Sequence, residues 1–145
     1  MLVNTAVLGE VEVSPENVFH MPHGLYGFEE ATDYALIKKW EDDVALMWLQ
    51  NTGADAPCFV VFDPFEIIEG YEPELEASDL RFFGAGDISE LDFYVIAVVP
   101  EDIAGITVNL KSPVAVHKKD RRARQVILAN RDYPIRFPLF VREEA

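Results

Sequence analysis

A single cysteine, Cys58, among 145 residues leaves no possibility of a disulfide within the chain and fits a reducing compartment. Long hydrophobic runs are missing as well. Stretches such as "ALMWL" (45–49) and "YVIAVV" (94–99) span a handful of residues, far short of the roughly 18 that a membrane-crossing helix needs. The amino-terminal "MLVNTAVLGEVEV" has neither a basic leader nor a long apolar core, so no signal peptide is expected and the cytoplasm is the expected location. The four serines, Ser14, Ser78, Ser89 and Ser112, lie in no G-x-S-x-G setting. "GAG" (84–86) is too short to cradle a dinucleotide. His20 and His23 are separated by Met21 and Pro22, with no cysteine pair or further histidine nearby to complete a tetrahedral metal set. Cys58 sits in an apolar run, where a thiol is usually inert. No catalytic residue, cofactor or metal is therefore expected.

Cations are scarce through most of the chain. Residues 1–110 hold 22 acidic and 3 basic side chains, whereas residues 111–145 hold 4 and 9, for a formal net charge of −14. Such an excess repels nucleic acid and anionic membranes at long range and attracts basic partners. The exception is "VAVHKKDRRARQVIL" (114–128), which packs five of the twelve Lys and Arg residues into positions 118–124. No aromatic interleaves with them, so the stacking half of a single-strand platform is absent. A hairpin tip near Lys119–Asp120–Arg121 suits the strand formers on either side, against a basic helix over Asp120–Asn130.

What is plentiful is short β-patterned segments between turn formers. They fall near 2–7, 10–13, 17–20, 34–39, 44–50, 57–63, 92–99, 105–110, 113–118, 124–129 and 134–137. Only 73–91 looks helical, and Gly84 and Gly86 divide it into short pieces. With no long helix to carry parallel crossovers, the pattern predicts one all-β domain over 1–145, an antiparallel barrel or sandwich. "CFVVF" and "YVIAVV" read as central strands, while "VEV" and "VAV" alternate and are expected to keep one face wet.

Several phrases occur together and in order: "MPHGLYGFEE" (21–30), "WLQN" (48–51), "FVVFDP" (59–64) followed by Tyr71 in "GYEPEL", and "TVNLKSPVAVHKKDRRARQVILANRDYPIRFPL" (107–139). As a set they resemble the flagellar assembly factor FliW family. His117 and Ala123 depart from the pattern, standing where that family usually has Asn and Gly. The resemblance implies a small antiparallel β-barrel or roll with short capping helices. It also implies a non-enzymatic protein that binds the translational repressor CsrA and flagellin in a partner switch, relieving repression of flagellin translation.

An acidic surface is what a basic RNA-binding repressor would meet. The candidate contacts are Glu66, Glu69, Glu72, Glu74, Glu76 and Asp79 of "EIIEGYEPELEASD", with Tyr71 as an apolar anchor. The chain is expected to be a monomer on its own, with no direct binding of nucleic acid or membrane. Two rival readings are RNA binding by residues 118–124 and a small molecule held inside the barrel. Gly24 and Gly27 read as turn residues, and Asn109 as a side chain bonded to backbone.

Overall fold

The computed structural model describes residues 1–5, 8–42, 44–54, 56–130 and 132–140. Strands β1 (Leu2–Thr5) and β2 (Gly9–Glu12) form a separate antiparallel hairpin. The principal sheet uses β3 (Val18–His20), β4 (Asp33–Glu41), β5 (Val44–Asn51), β6 (Cys58–Phe62), β7 (Leu91–Val98), β8 (Thr107–Val108), β9 (Val114–His117), β10 (Ala123–Gln125) and β11 (Phe137–Pro138). Its order is β10-β9-β7-β6-β5-β4-β3, with β8 on the far end of β7 and β11 on β8. Every pairing between the named strands is antiparallel, in keeping with the lack of crossover helices, while the bridge between His20 and Arg122 is parallel. The two outer edges meet in one bridge, where the His20 N–H donates to the Arg121 carbonyl at 3.0 Å. The result is a roll that does not close into a full barrel.

Alternation along β7 explains the layering: Leu91, Phe93 and Val95 are buried, whereas Asp92, Tyr94 and Ile96 are partly exposed. One core cluster fills the roll with Phe19, Met21, Leu25, Tyr34, Leu36 and Leu49. A second lies on the other side of β7 and β9, around Tyr71, Phe83, Phe93 and Leu110. A third packs Val3 and Val13 of the hairpin region onto Ala35 and Ile37.

Short helices cap the second cluster. α1 (Pro64–Ile67) was not visible in the pattern, and α2 (Ala77–Phe83) and a 3₁₀ turn (Ile88–Glu90) fall inside the expected 73–91. Gly84, at φ +62°, stops α2. No helix among the described residues is long and apolar enough to cross a membrane.

Two expectations need correction. "VAV" keeps no wet face: all of Val114–His117 is buried, because Val114 and Val116 enter the roll while Ala115 meets Tyr71 and Phe83. "CFVVF" is central in the strand order, as expected, with Val61 the one fully buried residue of its five. The strands expected over 105–110, 124–129 and 134–137 shrink to two or three residues each. For 124–129 the cause is Pro113. The Val126 and Leu128 N–H groups still donate to the Pro113 and Lys111 carbonyls, but Pro113 has no N–H to return. The segment expected over 2–7 is a strand through Thr5, and Ala6 and Val7 lie outside the described residues.

The Tyr34 hydroxyl is fully buried without a hydrogen-bond partner among the described residues, and burial pushes its pKa up to about 12. Tyr34→Phe removes that unpaired group and keeps the ring. It is expected to raise the unfolding free energy by about 1 kcal/mol in urea titration, and a comparable loss would show that the hydroxyl has a partner in solution.

Candidate functional site

The acidic segment begins where β6 runs out into α1. The Asp63 carboxylate accepts the Phe65 N–H at 2.9 Å, and Pro64 opens the helical turn, where its missing N–H costs nothing. Gly70, at φ +75°, then turns the chain so that Tyr71 points inward. Beyond it the backbone is held from outside its own sequence. The Asn130 side chain donates to the Glu72 carbonyl at 3.0 Å and accepts the Glu74 N–H at 2.7 Å. The Tyr133 hydroxyl accepts the Glu72 N–H at 2.8 Å, and the Ala129 N–H donates to the Glu74 carbonyl at 2.8 Å. Lys111 in turn donates to the Asn130 carbonyl.

This fastening fixes the middle of an acidic ledge, at Glu72 and Glu74. Glu66, Glu69, Glu72, Glu74 and Glu76 are all exposed along it, and none forms an ion pair with a described residue. Five unpaired carboxylates on a backbone that does not have to be ordered on binding make a surface for cations.

Two of the seven expected contacts are not on that surface. Tyr71 is 3% exposed, and its hydroxyl donates to the Leu110 carbonyl at 2.8 Å while its ring lies 4.7 Å from that of Tyr133. Burial, with Tyr133 adding to it, drives its pKa far above the ordinary phenol value. Tyr71 is therefore a core residue, its ring and hydroxyl turned inward from the ledge. Asp79 is 7% exposed and faces Arg124, whose guanidinium lies 3.3 Å away. Burial raises the Asp79 pKa, and Arg124 pulls it partly back.

Arg124 comes from the basic run, which is indeed a hairpin, β9–β10. His117 accepts the Lys119 N–H on Nδ1 at 3.2 Å, a bond that an Asn side chain makes in comparable turns. Arg121 takes the left-handed conformation at φ +62°. The arginines of the run turn onto the protein. Arg122 donates to the Phe82 and Phe83 carbonyls at 2.8 and 3.1 Å, closing the end of α2. Arg122 and Arg124 lie 5.5 and 5.0 Å from the centre of the Phe82 ring. Arg121 lies 3.6 Å from Asp92. Lys118 and Lys119 remain exposed without an ion pair among the described residues. Two of the hairpin's five cations thus fasten α2 and a third pairs with β7, which leaves Lys118 and Lys119 as the cations of the run open to a phosphate.

Arg124→Ala would leave the buried Asp79 carboxylate unpaired. It is expected to lose about 1–2 kcal/mol at neutral pH, discounted because Arg124 is partly exposed. The folded-state pKa of Asp79 already lies above its unfolded value, and losing Arg124 raises it further. The deficit is therefore full above that folded pKa and shrinks as pH falls through it, since a protonated Asp79 needs no cation. Urea titrations of both proteins across mildly acidic pH measure the narrowing, and a deficit constant with pH would contradict it.

The remaining candidates have structural roles. His20 Nδ1 lies 2.5 Å from Asp33 Oδ1, and His23 packs on Phe82 at 5.6 Å between ring centres. Asn109 Oδ1 accepts the Lys111 and Ser112 N–H groups at 3.1 and 2.9 Å, turning the chain from β8 towards β9. Burial pushes the Cys58 thiol up, away from the reactive thiolate. An open cleft of about 700 Å³ is lined by residues 27–33, 51–54 and 56–57. The roll interior itself is packed with side chains. Asn130, Tyr133 and Phe65 went unnoticed in the sequence; the first two act across 56 and 61 positions, a distance no local pattern records.

The family model described as FliW protein matches residues 2–139. The flagellar assembly factor FliW of Ruminiclostridium cellulolyticum is 36% identical over 136 residues, covering 94% of this chain and 92% of that protein. That of Thermoanaerobacter pseudethanolicus is 32% identical over 139 residues, with 96% and 93% covered. A crystal structure of the flagellar assembly factor FliW matches the fold with a TM-score of 0.86 at 25% identity, covering 99% of this chain and 100% of that one.

Proposed function

The chain belongs to the FliW family of flagellar assembly factors, and on that premise we propose that it is a non-enzymatic regulator that captures the basic translational repressor CsrA and exchanges it for flagellin. The observation that carries the reading is the ledge of Glu66, Glu69, Glu72, Glu74 and Glu76, exposed and unpaired among the described residues, with its backbone at Glu72 and Glu74 held by Asn130 and Tyr133. A partner that binds RNA phosphates presents cations, and a negative ledge in an acidic protein competes for that kind of surface. Because the ledge is already ordered, little of the attraction is lost to fixing it. The capture needs no covalent step, so no catalytic group is required.

The test is a three-component competition at low and high salt. CsrA is bound to its flagellin transcript, this chain is added, and flagellin follows. The chain is expected to release the transcript, less effectively as salt rises, and flagellin is expected to restore the repressor–RNA complex. A transcript that stays bound at low salt would remove the repressor from the reading; release that flagellin does not reverse would remove the exchange. Direct, salt-sensitive binding of the transcript by this chain alone would instead favour residues 118–124 as an RNA contact.

A further inference from the structure

At the α1 end of the ledge there is an apolar opening that the acidic residues do not account for. Phe65 is 49% exposed, yet its ring is held edge-on against Tyr71 at 5.5 Å and Phe93 at 6.1 Å. An exposed aromatic fixed in this way loses little freedom when a partner covers it. It forms one wall of a cleft of about 430 Å³ whose other apolar surfaces come from Ile88, Leu91, Phe93 and Tyr94. Ile88 is itself exposed, at the first position of the 3₁₀ turn.

The charges around the cleft point to its occupant. Asp63, Asp92 and Lys118 line it. Asp92 is matched by Arg121 at 3.6 Å and Asp63 balances Lys118 in the lining, so the excess negative charge lies just beyond the cleft, on the exposed Glu66 and Glu69 that follow Phe65 in the chain. Burial first, then Asp92 and Asp63, with Arg121 opposing, push Tyr94 up to about 12, so it remains a neutral phenol. A second copy of this chain carries a net −14 and is repelled. A stable dimer would also need roughly 800 Å² from each partner, more than a cleft for one or two side chains offers. What fits is a single apolar side chain delivered by a cationic segment.

We propose that the Phe65–Ile88 cleft is the apolar seat of the acidic ledge, taking one aliphatic or aromatic side chain from a partner segment whose flanking Lys or Arg residues meet Glu66 and Glu69. The proposal rests on the basic-partner reading and replaces Tyr71, which is buried, with Phe65 as the anchoring ring.

Two synthetic peptides test it, Lys-Arg-Leu-Arg-Lys and Lys-Arg-Ser-Arg-Lys, titrated into the full chain with methyl NMR on Ile88 and Leu91. The Leu peptide is expected to bind about tenfold more tightly, from partial burial of one side chain, and to shift both methyl sets. Phe65→Ala and, as an independent variant, Ile88→Ala are expected to abolish that preference while leaving weak, salt-sensitive binding of both peptides. Equal binding of the two peptides to the parent chain, or Leu-dependent shifts confined to other methyls, would overturn the proposal. If the preference appears but CsrA does not bind, the repressor reading fails and the cleft stands. If CsrA binds the parent chain and both variants equally, the cleft assignment fails and the repressor reading stands.

Discussion

Gly24→Ala is expected to destabilise the fold by about 3 kcal/mol, the largest loss from adding a single methyl group anywhere in the turn region. Gly24 sits at φ +63°, and a Cβ there would lie 2.6 Å from the Glu29 Cα and 2.7 Å from the Phe28 carbonyl oxygen. Both obstacles are backbone, so no rotamer change relieves them. The left-handed conformation costs a residue with a Cβ roughly 1–2 kcal/mol by itself, and forcing the 28–29 backbone aside adds a similar amount. That backbone cannot move freely, because Leu25 bridges Phe28 and is fully buried. Gly27 is the internal control. It has φ +87° but nothing within 4 Å of its Cβ position, so Gly27→Ala is expected to lose only about 1 kcal/mol. Chemical denaturation of the two variants measures the gap. Equal losses would mean that strain alone, and not the close approach of residues 28–29, demands glycine at position 24.

The contrast between these glycines marks where sequence reading succeeds and where it stops. That "GLYGFE" is a turn followed from composition, because only glycine enters the left-handed region freely. Which glycine is crowded depends on a chain approach five residues later. The hairpin at 114–125 was legible because strand formers flank the charges closely, and the five exposed glutamates were legible because an acidic run without apolar periodicity has no core to enter. Tyr71 and Asp79 were not legible. Each stands in the same acidic run, but Tyr71 is drawn inward by a carbonyl 39 residues away and Asp79 by an arginine on the hairpin. RNA binding by the arginines stayed open as a rival reading for the same reason: their partners, the end of α2 and Asp79, are remote in sequence.

If the repressor sits on the ledge, charge reversal there is expected to carry the largest functional effect. Glu72→Lys, Glu74→Lys and Glu76→Lys together change the net charge by six units while leaving the fold's own bonds in place. The Glu72 and Glu74 contacts to Asn130 and Tyr133 use backbone groups, and none of the three carboxylates pairs with a described cation. The triple variant should therefore unfold at nearly the parent's denaturant midpoint. Its affinity for CsrA is expected to fall on the order of a hundredfold at low salt, about 1 kcal/mol for each reversal, with the salt dependence flattened. Net charge alone is separated from local contact by a second triple, Glu16→Lys, Glu30→Lys and Glu101→Lys, which alters three exposed carboxylates outside residues 66–76 by the same total. If both triples lose affinity equally, the field of the whole molecule steers the partner and the ledge is not its seat. If only the ledge triple loses it, the partner's cations sit on the segment that Asn130 and Tyr133 hold. An unchanged affinity in the ledge triple would place the acidic contact elsewhere on the roll.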